Sequence, residues 1–382
     1  MRIFLVAGEP SGDKLGAALM AGLKSIENVE FQGVGGPLMM AEGMQSLFPM
    51  EELSVMGLTE VLPKYLHLRR RLHQTAEAVL EAKPDVLITI DSPDFCLRVA
   101  KLVKEKSSIR TVHYVAPSVW AWRPGRAVKM AQHIDHVLAL LPFEPPYMEA
   151  AGMACDFVGH PVVAEPVPSE TQVRAFREKH GLSGQRILLV LPGSRRSEVS
   201  RLAPRFGEAL RPVLQRHPDL QLVSPTTSAA APVLREAVHS WPVQPLITAP
   251  GDTGGDSYAV EKMCAFHAAD FALAASGTVS LELAAAETPM VIAYDGNWLS
   301  RTIVTMMLKI DTVTLVNLVS ETRAIPEFNG KDCRPELIGP GVLKMMDDPG
   351  AQIEAMRVTM ERLGQGGEAP GLRAAKAVLD RL

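Results

Sequence analysis

The sequence predicts an α/β protein of two doubly wound domains, each a parallel sheet covered by helices, facing a central cleft. Three observations predict it. Short apolar runs alternate with longer helical patterns along the whole chain. Several runs are continuously apolar, as strands buried on both faces require. The alternation restarts near residue 186, after a stretch at 161–169 (Pro161, Pro166 and Pro168, with Glu165 and Ser169) that suits a linker. At 382 residues the chain exceeds one ordinary core. Two Rossmann-like domains are expected, at 1–165 and 166–348, with closing helices over 349–382 that pack back on the first domain or on a partner chain.

Composition narrows the class. A net charge of −4 supplies no global basic field, so nucleic acid is not expected as a partner. Cys96, Cys155, Cys264 and Cys333 stand far apart with no CxxC pair, which suggests neither a disulfide framework nor a zinc site. A reducing cytoplasm fits. The opening run Arg2–Ala7 is too short for a signal peptide, and no run approaches the roughly 20 apolar residues of a spanning helix. Membrane contact is therefore expected to be peripheral.

Strands are expected at 2–7, 29–34, 85–90, 110–116, 136–141 and 154–158 in the first half. The second half gives 186–191, 219–224, 245–249, 269–274 and 289–294. The first strand ends in Gly8-Glu9-Pro10-Ser11-Gly12-Asp13. Three residues separate its glycines, where a Walker loop needs four, and Asp13 and Leu15 break the remainder. The Gly33–Gly36 stretch fails the dinucleotide fingerprint at Leu38. What remains is a strand-to-helix turn carrying Glu9, Ser11 and Asp13 at a cleft edge.

Residues 53–73 set apolar side chains, among them Met56, beside Lys64, Arg69, Arg70 and Arg71. Such a patch suits an anionic membrane surface or an acylated substrate; it also suits a core-packing face beside a solvated helix. In Ile88–Phe95, a buried strand ends in Asp91 and Asp94. One carboxylate could deprotonate an attacking hydroxyl, or either could cap the following helix. His113–Arg123 puts two of the four tryptophans, Trp120 and Trp122, in a loop after a strand. With Ser118 and Arg123 they suit a wall against a sugar or lipid phosphate, or a structural hinge. His133 and His136 read as structural, since no acidic or histidine set completes a metal site.

In the second half, Gly193-Ser194-Arg195 follows a strand and opens a helix. Ser194 and the loop N–H groups can hold phosphate oxygens, and Arg195 can pair with a diphosphate. Ser276-Gly277-Thr278 repeats the arrangement, with Glu282 one turn in and placed for ribose hydroxyls. The same residues also fit an ordinary capped helix with an exposed Glu. Residues 315–329 read as a loop bearing Asn317 and Glu327, and helices are expected at 350–363 and 368–381.

Together these runs resemble the lipid-A-disaccharide synthases, membrane-associated glycosyltransferases of the GT-B fold. The matching stretches are AGEPSGD (7–13), SVMGLTEVLP (54–63), IDSPDF (90–95), HYVAPSVWAWR (113–123), LPFE (141–144), VGHP (158–161), LPGSRRSEV (191–199), ASGTVSLE (275–282) and NLVSETRAIPEF (317–328). Pro10, Cys96 and Asn329 depart from the usual residues, and 251–257 is unusually glycine-rich.

The resemblance implies transfer of a sugar from UDP-2,3-diacylglucosamine to 2,3-diacylglucosamine 1-phosphate (lipid X). The anomeric centre inverts, no metal or other cofactor is needed, and UDP is released. It implies Asp94 as base, with Asp91 orienting it or serving instead. Gly193, Ser194, Arg195, Ser276, Gly277 and Thr278 would hold the diphosphate, and Glu282 the ribose. Asn317 and Glu327 would contact uracil or the donor sugar. Glu9, Ser11, Asp13, Met56, Trp120 and Arg123 would shape the acceptor side, with Arg69, Arg70 and Arg71 at the lipid surface. The enzyme is expected in the cytoplasm, docked on the inner face of the cytoplasmic membrane, with a homodimer left open. Other readings are another GT-B enzyme acting on a UDP-sugar, an epimerase included, and a non-catalytic UDP-sugar-binding protein.

Overall fold

A computed structural model describes residues 1–53, 58–121, 125–253, 255–296 and 310–382. The chain divides into two compact units, Met1–Ala164 with Leu363–Leu382, and Glu165–Arg362. The expected closing segment began at 349, but the helix Gly350–Arg362 packs on the helix Leu315–Ser320 inside the second unit. Only the helix Pro370–Leu379 lies on the first unit, against the helix Pro10–Ile26.

In the first unit the strands are β1 (Arg2–Ala7), β2 (Glu30–Val34), β3 (Gln45–Ser46), β4 (Val86–Ile90), β5 (Arg110–Tyr114), β6 (His136–Ala139) and β7 (Ala154–Phe157). All pairings are parallel, in the order β3-β2-β1-β4-β5-β6-β7. Every residue of β4 is buried, which explains its uninterrupted apolar run. The second unit holds β8 (Ile187–Leu191), β9 (Gln221–Pro225), β10 (Leu246–Thr248), β11 (Phe271–Ala274), β12 (Met290–Tyr294) and β13 (Glu327–Asn329). Its order is β10-β9-β8-β11-β12-β13, again parallel.

Each expected strand is present. The sequence reading missed β3 and β13, which are short and polar and carry no apolar run. The stretch expected as a loop at 315–329 contains the helix Leu315–Ser320 as well as β13. His136 lies in β6, buried, with Nε2 2.7 Å from Asp156 Oδ2 in β7.

Strand order reverses between β1 and β4 in the first sheet and between β8 and β11 in the second. At such switch points the loops leave in opposite directions and open a crevice beyond the strands' carboxyl ends. The stretches 8–13, 91–94, 193–195 and 276–278 leave these four strands, while the run that begins at His113 leaves β5.

Candidate functional site

In the first unit, β1 runs into Gly8 and Glu9, and β4 into Asp91 and Ser92. The two turns touch: a Cβ on Gly8 would lie 2.7 Å from Ser92 Oγ, so glycine is required there by close approach. Ser11 Oγ donates to Asp91 Oδ2 at 3.2 Å. Asp91 and Ser92 have φ of +51° and +41°, and Val115 at the end of β5 has +85°. Left-handed backbone is costly for such residues, most of all for β-branched Val, and three of the six non-glycine cases among the described residues lie at this edge. Ser92, rather than either aspartate, is the N-cap of the helix Pro93–Lys104.

This strained turn separates two cavities. The smaller, about 170 Å³, is lined by Asp91, His113, Ser118 and Arg126, among others. His113 is buried, with Nδ1 2.8 Å from Thr89 Oγ1. Burial, with the Arg126 charge nearby, pushes its pKa down to about 3, so the ring is neutral at physiological pH. The larger cavity, about 760 Å³, runs between the helices Leu58–Ala82 and Pro93–Lys104 and includes Glu9 and Asp94 in its wall. Asp94 lies in the first turn of its helix with its side chain 98% exposed, and Arg126 Nη2 stands 4.0 Å from Oδ1. An accessible carboxylate beside a fixed cation can meet a substrate hydroxyl.

Other expected acceptor residues fall elsewhere. Asp13 does not face the edge: it is buried and accepts from the N–H groups of Gly36, Leu38 and Met39 at 2.9–3.0 Å. It clamps the Gly35–Gly36 turn to the helix Pro10–Ile26. Trp120 donates its indole N–H to Glu144 at 3.2 Å and meets Phe143 edge-on. The three arginines separate. Arg71 turns inward, forks onto Glu52 at 2.7 and 2.8 Å, and stacks over Phe48. That pairing, which His67 joins, holds the Glu52 carboxyl down to about 2. Arg70 meets His67 Nδ1 at 3.1 Å, and Arg69 lines the large cavity. Met56 and Arg123 lie outside the described residues.

In the second unit, Gly193 has φ of +123°, and a Cβ there would lie 2.6 Å from Glu198 Cβ. Glu198 Oε2 accepts from the N–H groups of Ser194 and Arg195 at 3.2 and 3.3 Å. The expected phosphate donors of this turn thus face the protein's own carboxylate, which caps the helix Arg196–Arg216. The Arg195 side chain is 61% exposed, 3.7 Å from Glu198 Oε1, and open to an anion. The turn after β11 is different. Gly277 has φ of +150°, no atom would lie within 4 Å of an added Cβ, and Gly277 and Thr278 are exposed. The first bonds of the turn run from Ser280 back to Gly277 and from Leu281 and Glu282 back to Thr278, so the N–H groups of residues 276–279 lie ahead of them at the helix start.

Glu282 is half-exposed and paired with Lys262 at 2.7 Å. Asn317 is buried: its amide donates to the Ile325 carbonyl and accepts from the Ile325 N–H. Glu327 accepts from Thr314 N–H at 2.7 Å, from Val313 N–H and from the Thr312 hydroxyl. Both side chains organise the 312–327 segment. His113, Arg126 and Glu198 were missed. Only Glu198 carried a signal, an acid three residues after the N-cap position. The other two become visible when β5 and the helix Gly125–Met130 meet beside β4.

Two parallel α/β units, each with a glycine-bearing turn at the sheet's switch point, define a GT-B-type fold. Solved structures share the fold. The UDP-GlcNAc 2-epimerase of Neisseria meningitidis bound to UDP-GlcNAc matches with a TM-score of 0.66 at 10% identity, over 100% of this chain and 99% of that one. A glycosyltransferase of Rickettsia africae matches with 0.58 at 13% identity, over 100% and 99%. Sequence gives the family. A family model described as lipid-A-disaccharide synthetase matches residues 3–369. The lipid-A-disaccharide synthase of Ruegeria pomeroyi is 63% identical over 383 positions, covering 100% of this chain and 96% of that protein. That of Rhodospirillum centenum is 49% identical, covering 99% and 94%. The chain belongs to the lipid-A-disaccharide synthase family, the glycosyltransferases that form the lipid A disaccharide. No helix among the described residues is long and apolar enough to cross a membrane.

Proposed function

We propose that this chain joins UDP-2,3-diacylglucosamine to lipid X. The acceptor 6-hydroxyl displaces UDP at the anomeric carbon with inversion, giving the β-1′,6-linked disaccharide 1-phosphate. Family membership over the whole chain is the observation that carries this reading. The site chemistry supports it. Asp94, exposed at the wall of the large cavity, is the base that takes the hydroxyl proton as the new C–O bond forms. Asp91, held by Ser11 at the strained turn, is the positioning carboxylate or the substitute base.

Charge developing on the departing UDP needs fixed donors. The Arg195 guanidinium, the Ser194 hydroxyl and the exposed turn Ser276-Gly277-Thr278 supply them, while the N–H groups of Ser194 and Arg195 stay on Glu198. Glu282 takes the ribose hydroxyls by exchanging its bond to Lys262. Asn317 and Glu327 act through the segment they brace, and Asp13 through the turn it clamps. Glu9, Trp120, Met56 and Arg123 remain on the acceptor side. The enzyme works at the inner face of the cytoplasmic membrane: Leu66 is 77% exposed beside Tyr65, with Arg69 and Arg70 following, a pattern suited to an anionic bilayer.

The test is UDP release from the donor with detergent-dispersed lipid X, with and without EDTA. Release is expected to require lipid X and to ignore EDTA. Asp94→Ala is expected to lower turnover by about 10²–10⁴-fold while UDP still binds by calorimetry. Acceptor-independent formation of an isomeric sugar nucleotide would replace this reading with an epimerase. UDP binding without any release would replace it with a binding protein.

A further inference from the structure

The large cavity of the first unit has an ordered chemistry. The helix Pro93–Lys104 and the residue after it contribute Asp94, Phe95, Arg98, Lys101, Leu102 and Glu105 to it. These follow the spacing of one helical face. The facing helix Leu58–Ala82 contributes Tyr65, Leu68, Arg69, Leu72 and His73, again one face. Leu68, Leu72, Phe95 and Leu102 make an apolar floor, and Arg69 and Arg98 bring guanidinium groups from opposite sides. Lys101 has Glu105 at 3.8 Å. Arg69 and Arg98 have no hydrogen-bond or ion-pair partner among the described residues. Two unpartnered cations over an apolar trough, about 760 Å³ in volume, fit an anionic amphiphile.

We propose that this groove reads the acceptor's phosphate: Arg69 and Arg98 clamp the 1-phosphate of lipid X, and its acyl chains lie along the apolar floor. This rests on the acceptor assignment above. The spacing favours lipid X over a membrane phospholipid as occupant. Asp94 and Arg98 stand four residues apart on one face, about 6 Å along the helix axis. That is comparable with the span of a hexose ring from its 6-oxygen to its anomeric oxygen. A sugar lying along the face would therefore present its 6-hydroxyl to Asp94 while its 1-phosphate meets Arg98. Arg69 closes on the phosphate from the facing helix. The same clamp sets which hydroxyl reacts, because a sugar turned end for end would put its phosphate against the Asp94 carboxylate.

The test compares two acceptors, lipid X and 2,3-diacylglucosamine without the phosphate. Arg98→Ala and Arg69→Ala are each expected to raise the KM for lipid X about tenfold, with the donor KM unchanged. The KM for the unphosphorylated acceptor is expected to stay within about twofold. Arg98→Lys should recover part of the loss as a point charge without the fork. An equal rise for both acceptors, or no rise, overturns the clamp. A second arm does not need turnover: calorimetry with dodecyl phosphate against neutral dodecyl maltoside. The wild type is expected to prefer the phosphate and Arg69→Ala/Arg98→Ala to lose that preference; an unchanged preference overturns the proposal even if lipid X proves not to be the acceptor. Weakened binding to phosphatidylglycerol vesicles with an unchanged KM for lipid X would make this a headgroup site and also overturn it.

Discussion

Glu144 shows how one buried group ties the aromatic loop to the fold. Its carboxylate is 4% exposed and accepts from Trp120 Nε1 and from Leu141 N–H at 3.0 Å. Burial raises its pKa to about 7. An unfolded Glu ionises near 4.5, so between these values the folded chain holds a proton that the unfolded chain has lost. Stability then falls as pH rises through that window, by up to about 3 kcal/mol once pH passes 7. Glu144→Gln cannot ionise, but its single amide oxygen keeps only one of the two accepted bonds, which fall on different carboxylate oxygens, so a fixed penalty is expected at every pH. Its melting temperature relative to the wild type is therefore expected to shift upward between pH 5 and pH 8, as the wild type alone loses stability. Equal differences at both pH values would mean that another group sets the slope. At this scale the sequence is only partly legible. Asp94, Arg195 and Gly277 stand where their spacing places them, three or four residues beyond the ends of β4, β8 and β11 and exposed. Asp13, Asn317 and Glu327 stand in equally suggestive motifs, yet their oxygens serve backbone N–H groups many residues away. Pairing across the fold leaves no local spacing to read.

Among the elements, the contact between the helices Pro10–Ile26 and Pro370–Leu379 depends on two glycines. A Cβ on Gly371 would lie 2.4 Å from the Ala18 carbonyl oxygen, and one on Gly22 2.6 Å from the Gly371 oxygen. Neither has positive φ, so the demand is for closeness of the two backbones, not for unusual torsion. Gly371→Ala is expected to lower stability by about 1–3 kcal/mol, because the helices have to separate. Gly125→Ala, where an added Cβ meets nothing within 4 Å, should leave the urea midpoint near wild type. Equal midpoints for the two variants would show that the helix contact is slack. The helices and the buried strands were legible because their apolar periods differ, 3.6 against continuous runs. β3 and β13 were not. Both are edge strands, held by neighbours through main-chain bonds that any sequence can make.

At the scale of the whole molecule, the chain leaves its first unit at Ala164 and returns to it at Leu363. The second unit, Glu165–Arg362, is continuous and has its own core around Phe206, Leu210 and Leu273. The first is not continuous. Ala374, Ala375 and Val378 complete the cluster that contains Leu19, Met20 and Leu23. Arg381 adds a fork onto Asp156, at 2.5 and 3.0 Å, and Arg373 lies over Phe157. A chain ending at Arg362 would leave that apolar face in water and remove both cationic contacts, while every contact internal to 165–362 stays. Scanning calorimetry of residues 1–362 is therefore expected to show one transition displaced to lower temperature and one unmoved, and residues 165–362 alone should reproduce the unmoved one. A uniform shift of the whole thermogram would mean that the two units unfold as one, and that the returning helix stabilises the molecule jointly rather than the first unit by itself.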